Sequence, residues 1–143
     1  MGRFTSCLVG AATACLLASS TAGALEAVTI RPLAEKTETA SGQPITLPQK
    51  DVRVVVSTYD IAPGARLPVH KHPFARYAVV QGGTLEVTNA ATGASATYRT
   101  GDVVIEMIDQ WHHARNVGAD AVKLLVIDQI EGPGGNTVLH PGH

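Results

Sequence analysis

From Asp51 to Ile130 the chain is a succession of short β-forming runs cut by turn residues, and that pattern leaves little room for anything but an all-β fold. Val52, Val54 and Val56 alternate with Arg53, Val55 and Ser57, a β-branched run that packs well on a pleated surface. Pro63-Gly64 is a turn signature, because proline presets φ at one position and glycine accepts positive φ at the next. Further β segments are expected at 75–80, 84–88, 94–99, 102–107, 112–117 and 121–130. Gly82-Gly83, Thr92-Gly93, Thr100-Gly101 and Val117-Gly118 separate them. In this stretch no window repeats apolar residues at helical spacing, so the expectation is a sandwich or barrel of six to eight strands.

The 143 residues suffice for one domain with a core, and 45% apolar against 16% charged residues is globular composition. A formal net charge of −1 gives no electrostatic grip on nucleic acid or on an anionic membrane. The barrel is expected over 51–130, after an arm at 25–50 broken by Pro32, Gly42, Pro44 and Pro48. Beyond it, Glu131-Gly132-Pro133-Gly134-Gly135-Asn136 opens a mostly irregular tail at 131–143.

The chemistry is concentrated in the histidines. His70 and His72 stand two apart, so on a strand they share a face with α-carbons roughly 6.6 Å apart. Two imidazoles at that spacing can reach one cation, although surface H-x-H pairs on strands are common. His112 follows forty residues later, with Asn116 four residues beyond it. His113 is expected on the opposite face from His112, and His140 and His143 in solvent. Trp111 and Tyr77 are candidates for a pocket wall, or simply for core packing.

This arrangement resembles the cupin family. Gly64, five residues, His70, Lys71, His72, three residues, position 76, six residues and Gly83 reproduce the spacing of its first motif. Gly101, five residues, Met107, Ile108, Asp109, two residues, His112, three residues and Asn116 reproduce its second. The resemblance spans roughly residues 52–130 and implies a jelly-roll barrel. It implies His70, His72 and His112 as metal ligands, with Gly64, Gly83, Gly101 and Asn116 shaping turns and strand ends. Three neutral imidazoles suit one divalent transition metal such as Fe, Mn, Zn or Ni.

Two departures matter. The family's glutamate ligand falls at Arg76, which cannot ligate a cation, and Met107 and Asp109 replace a proline and a glycine. Either Arg76 points inward and, with Tyr77, holds an anionic substrate, or it turns outward and a water or Glu106 takes the vacated position. In the first case restoring glutamate at 76 is expected to tighten metal binding. The implied function is a metal-dependent oxygenase acting on a small anionic compound, with isomerase-like chemistry on Zn or Mn as a variant. The alternative is a non-catalytic binder of a small ligand or metal. A homodimer is compatible with either.

The N-terminus has its own logic. Arg3, the apolar stretch Cys7 to Leu17 and Ala22-Gly23-Ala24 have the order of a secretory signal peptide cleaved after Ala24. A retained anchor or lipidation at Cys15 are the rivals. Cleavage after Ala24 would remove both cysteines, send the protein to the periplasm or the medium, and leave no membrane-bound segment.

Overall fold

A computed structural model describes residues 28–142, so the expected signal peptide, Cys7, Cys15 and His143 lie outside the described residues. From Pro32 onward the chain forms one compact unit. Among the described residues there are nine strands and no helix. They are β1 (Val52–Ile61), β2 (Arg66–Lys71), β3 (Arg76–Gly82), β4 (Thr84–Asn89), β5 (Ser95–Arg99), β6 (Val103–Ile105), β7 (His112–Asn116), β8 (Val122–Glu131) and β9 (Val138–Leu139).

The strands form two antiparallel sheets, ordered β1-β8-β3-β6 and β5-β4-β7-β2-β9, the double-layered all-β jelly roll that the cupin resemblance implied, with nine strands where six to eight were expected. Alternation decides which side chains meet between the layers. In β8, Val122, Leu124, Val126 and Ile130 are buried while Lys123 is exposed. Val80 and Ala78 from β3, Leu85 and Val87 from β4, Val104 from β6 and Ala114 from β7 join Val122, Leu124 and Val126 in one core.

Turn chemistry holds this register. Asn116, fully buried, donates from Nδ2 to the carbonyls of Ile61 and Asp120 at 2.8 Å each, and its Oδ1 accepts from the Gly118 N–H at 2.9 Å. Its own N–H donates to Ala65 and its carbonyl accepts from the Gly64 N–H, so the Pro63-Gly64 turn is tied to the end of β7. Gly83 turns β3 into β4 at φ +79°, against the start of β8.

Two segments are more ordered than their composition suggests. Within the arm, Gln43 clamps the loop after β6, its Oε1 accepting from the Ile108 N–H at 3.0 Å and its Nε2 donating to the Ile108 carbonyl at 2.9 Å. Ala40 donates to the Ile105 carbonyl, capping the free edge of β6. In the tail, β9 pairs with β2, so the expected irregular run adds a strand to the second sheet. Backbone pairing drives this: β2 offers an open edge of N–H and C=O groups that need partners.

Gly83→Ala should be costly, because a β-carbon there would lie 2.8 Å from the Ala121 carbonyl oxygen and the Val122 Cα, on top of its left-handed backbone. Gly64→Ala adds only the backbone strain, since nothing lies within 4 Å of its site. Urea denaturation should give a loss of about 2–3 kcal/mol for the first and about 1 kcal/mol for the second. Equal losses would contradict the steric account.

Candidate metal centre

β2 and β7 lie side by side, and their register sets His70 opposite His112. Pro68 lacks an N–H, and the pairing slips between Leu67 and His70, the kind of irregularity at which proline is tolerated inside a sheet. His72 follows on the same face, just past the end of β2, bridged to Ile108. The three rings gather with centroids 4.5–5.0 Å apart, and all three residues are buried.

Each ring is oriented by a backbone carbonyl. The Nδ1 atoms of His70, His72 and His112 lie 2.7, 2.5 and 2.8 Å from the carbonyl oxygens of Pro68, Asn136 and Gln110. A carbonyl can only accept, so each Nδ1 carries the proton and each Nε2 is the nitrogen left for a cation. Carbonyl-oriented imidazoles of this kind are the usual support of histidine metal ligands.

The fourth group comes from the residue just after β6. Glu106 follows Ile105, which pairs with Tyr77, and its N–H donates to the Arg76 carbonyl, so it stands across from position 76. Its Oε2 lies 3.0 Å from His72 Nε2 and 2.9 Å from His112 Nε2. The one-for-one exchange is simple. Where the family places glutamate on β3, this chain carries the carboxylate on the neighbouring strand. The ligand atoms of His70, His72, Glu106 and His112 all lie within 4.8 Å of one another. Three ring nitrogens and a carboxylate facing inward repel one another unless a cation sits among them, so the donor set fits one divalent ion.

The electrostatics agree. Burial disfavours a charged imidazole and is the main reason that His70 is held down to a pKa of about 4, so it stays neutral and ligating near pH 7. Burial alone would raise the Glu106 carboxyl, but the His112 and His72 side chains against it outweigh burial and hold it below the ordinary carboxylate range, so it is an anionic donor.

Arg76 satisfies one half of each sequence expectation. It points inward and is buried, yet its charge is already paired: Nε and Nη2 donate to Asp128 Oδ1 and Oδ2 at 2.8 and 2.9 Å, and Nη2 also reaches Thr137 Oγ1. β3 and β8 pair Arg76 with Asp128 directly, so Asp128, Arg76 and Glu106 form an alternating row across the first sheet. Burial would lower the Arg76 pKa, but the Asp128 bond and nearby Glu106 raise it instead. The expectation that glutamate at 76 would tighten metal binding assumed an unpaired Arg76; a glutamate there would instead face Asp128, which would lose its guanidinium partner. Nη1 makes no hydrogen bond among the described residues.

A cavity of about 160 Å³ opens beside the ligands. Leu67, Leu85, Val87, Leu124, Val126 and Leu139 form most of its wall, with His70, Glu106, Arg76, Tyr59 and Thr137 as its polar lining. Tyr77 is not part of it: alternation along β3 turns it to the other face from Arg76. Trp111 is also elsewhere, under Lys71 Nζ and edge-on to His140, which is therefore half-buried and not in open solvent. His113 takes the opposite face of β7 from His112. Asp109 stands where the family has glycine and adopts a glycine-like φ of +55°, which aspartate tolerates better than most residues. Gly64, Gly83, Gly101 and Asn116 sit at turns and strand ends, away from the ligands.

Asp128 was not singled out from the sequence, although it interrupts an otherwise apolar inward row of β8, and Glu106 is likewise the one acid in Val103–Met107.

The cupin-domain family profile matches residues 57–128, and the chain belongs to the cupin family. No relative was found among curated proteins. The fold is similar to the cupin domain of Schizosaccharomyces pombe Cnp3, at 18% identity and TM-score 0.51, covering 60% of this chain and 61% of that one. It is also similar to the polyketide cyclase RemF of Streptomyces resistomycificus, at 18% identity and TM-score 0.53, covering 63% of each chain. BH2720 of Bacillus halodurans matches at 19% identity and TM-score 0.51, over 63% of this chain and 70% of that one. The chain spans less than two thirds of the length of the first two. At these identities the likeness is one of fold.

Asp128→Ala should destabilise the protein by about 3–5 kcal/mol, because it leaves a buried guanidinium without its partner. Replacing both members, Arg76→Met with Asp128→Leu, should recover much of that loss. Chemical denaturation of the three proteins measures it, and a double variant as unstable as the single one would contradict the pairing account.

Proposed function

We propose that this protein is an exported cupin with one divalent transition metal, held by His70, His72, Glu106 and His112, that oxidises a small anionic compound. The observation that carries the reading is the position of the ligand set, with His70 and Glu106 forming part of the wall of a mostly apolar cavity. Iron would supply electrons to dioxygen there; Mn, Zn and Ni fit the same donors.

Among the described residues, the cavity offers in its lining, apart from the ligands His70 and Glu106, the Tyr59 hydroxyl as a group of the kind that moves protons. Its volume of about 160 Å³ lies below the roughly 300–1,000 Å³ of drug-sized sites, which limits the substrate to a small molecule. A divalent ion with one carboxylate leaves a net positive centre, and Arg76 Nη1 has donors to spare beside it. Both favour a substrate with an anionic head and a short apolar body. Export follows from the reading of residues 1–24, which would place the mature chain in the periplasm or outside the cell.

Oxygen uptake by the iron-loaded mature protein, measured with a panel of small carboxylates, tests this. At least one should stimulate uptake, His72→Ala should abolish it, and Arg76→Lys should weaken carboxylate binding about tenfold by losing the planar fork. Tight carboxylate binding without oxygen uptake would instead establish a non-catalytic binding protein.

A further inference from the structure

The tail after β8 closes on the site from outside the family-matched region. Asn136 is its anchor, 4% exposed in a stretch whose neighbours Gly134, Gly135, Thr137 and Val138 are all exposed. Its backbone carbonyl is the acceptor of His72 Nδ1 at 2.5 Å. Its side chain is fully committed: Oδ1 accepts from the Phe74 N–H at 2.9 Å, and Nδ2 donates to the Phe74 carbonyl at 3.1 Å and to Asp128 Oδ1 at 2.6 Å. One residue on, Thr137 meets Arg76; then β9 pairs with β2, and the His140 N–H donates to the Val69 carbonyl.

We infer that Asn136 is a positioning residue for the metal centre, a buckle by which the C-terminal strap Asn136–His140 sets the tautomer and orientation of His72. The reasoning is geometric. Pro68 and Gln110, which orient His70 and His112, each lie two residues from the ring they hold, so local backbone geometry supplies those carbonyls. The carbonyl that orients His72 comes from 64 residues away. Nothing local keeps it there. The three side-chain hydrogen bonds of Asn136 hold it, two of them to Phe74, two residues beyond His72 itself. Without them the Gly134-Gly135 approach lets the carbonyl drift, and His72 loses the acceptor that keeps its proton on Nδ1.

The inference rests on the metal-site reading, and the test separates the two. Zn(II) affinity is measured by chelator competition on full mature protein, with Asn136→Ala, Asn136→Ser and the control Asn116→Ala. Asn116 is equally buried and equally bonded, but at the far end of β7 from His112. Asn136→Ala should weaken Zn(II) binding about 10–100-fold, the usual effect of losing a ligand's supporting partner. Asn136→Ser, which keeps one hydroxyl donor, should fall between Asn136→Ala and wild type, and carries the test if the alanine variant does not fold. Asn116→Ala should lose stability while holding Zn(II) as wild type does. Proton NMR of the Zn(II) form gives an independent readout. The slowly exchanging downfield His72 Nδ1 proton should be present in wild type and Asn116→Ala and absent or rapidly exchanging in Asn136→Ala. Asn136 variants that keep wild-type affinity and that proton overturn the inference and leave the metal site standing. A wild-type protein that binds no Zn(II) overturns the metal site and this inference with it.

Discussion

Three imidazole N–H groups, each donated to a backbone carbonyl, are the interaction on which the rest of the site depends. They remove the choice of tautomer and leave three Nε2 atoms gathered around one carboxylate, those of His72 and His112 at 3.0 and 2.9 Å from it. Two of these acceptors sit two residues away in sequence and come with the local backbone. The third depends on the chain folding its tail back over the barrel. The same constraint links the two sheets, because the histidines stand on the five-stranded one and at its margin while Glu106 follows β6 of the other.

The exchange of carboxylate and cation between β3 and β6 explains how the chain tolerates arginine at a ligand position. A buried guanidinium without partners would be prohibitive. Here it lies between Asp128 and Glu106, with the aromatic ring of Tyr59 5.9 Å from its central carbon. The row is neutralised from both sides, so the metal ligand keeps its negative charge and the arginine keeps spare donors for the cavity. The cost is a dependence on Asp128, which is buried and also accepts from Asn136. Arginine, tail and metal ligands thereby become one hydrogen-bonded unit.

Much of this was legible in the sequence, and the parts that were not have physical reasons. Turn residues and β-branched runs mark the strands because their chemistry is local: Gly83 needs positive φ wherever it packs. The H-x-H pair declares a shared face through the period of a strand. Glu106 appeared only as an alternative to water, since its role depends on which strand lies beside β3, and pairing of strands is not written in either strand alone. Arg76 could be read as inward or outward because its partner Asp128 is 52 residues away. Tyr77 was grouped with it on sequence adjacency, which on a strand means opposite faces. The tail looked irregular because Gly132, Gly134 and Gly135 disfavour regular structure, and the free edge of β2 that orders it is visible only once the sheet is built.

The central claim is that one ion is held by three imidazoles and one carboxylate. X-ray absorption at the metal edge of the Zn(II)-loaded mature protein tests it most directly. The account predicts outer-shell scattering from three imidazole rings plus one oxygen ligand that is missing, or replaced by a water, in Glu106→Ala. A spectrum with one imidazole or none, or one unchanged by the loss of Glu106, would contradict it.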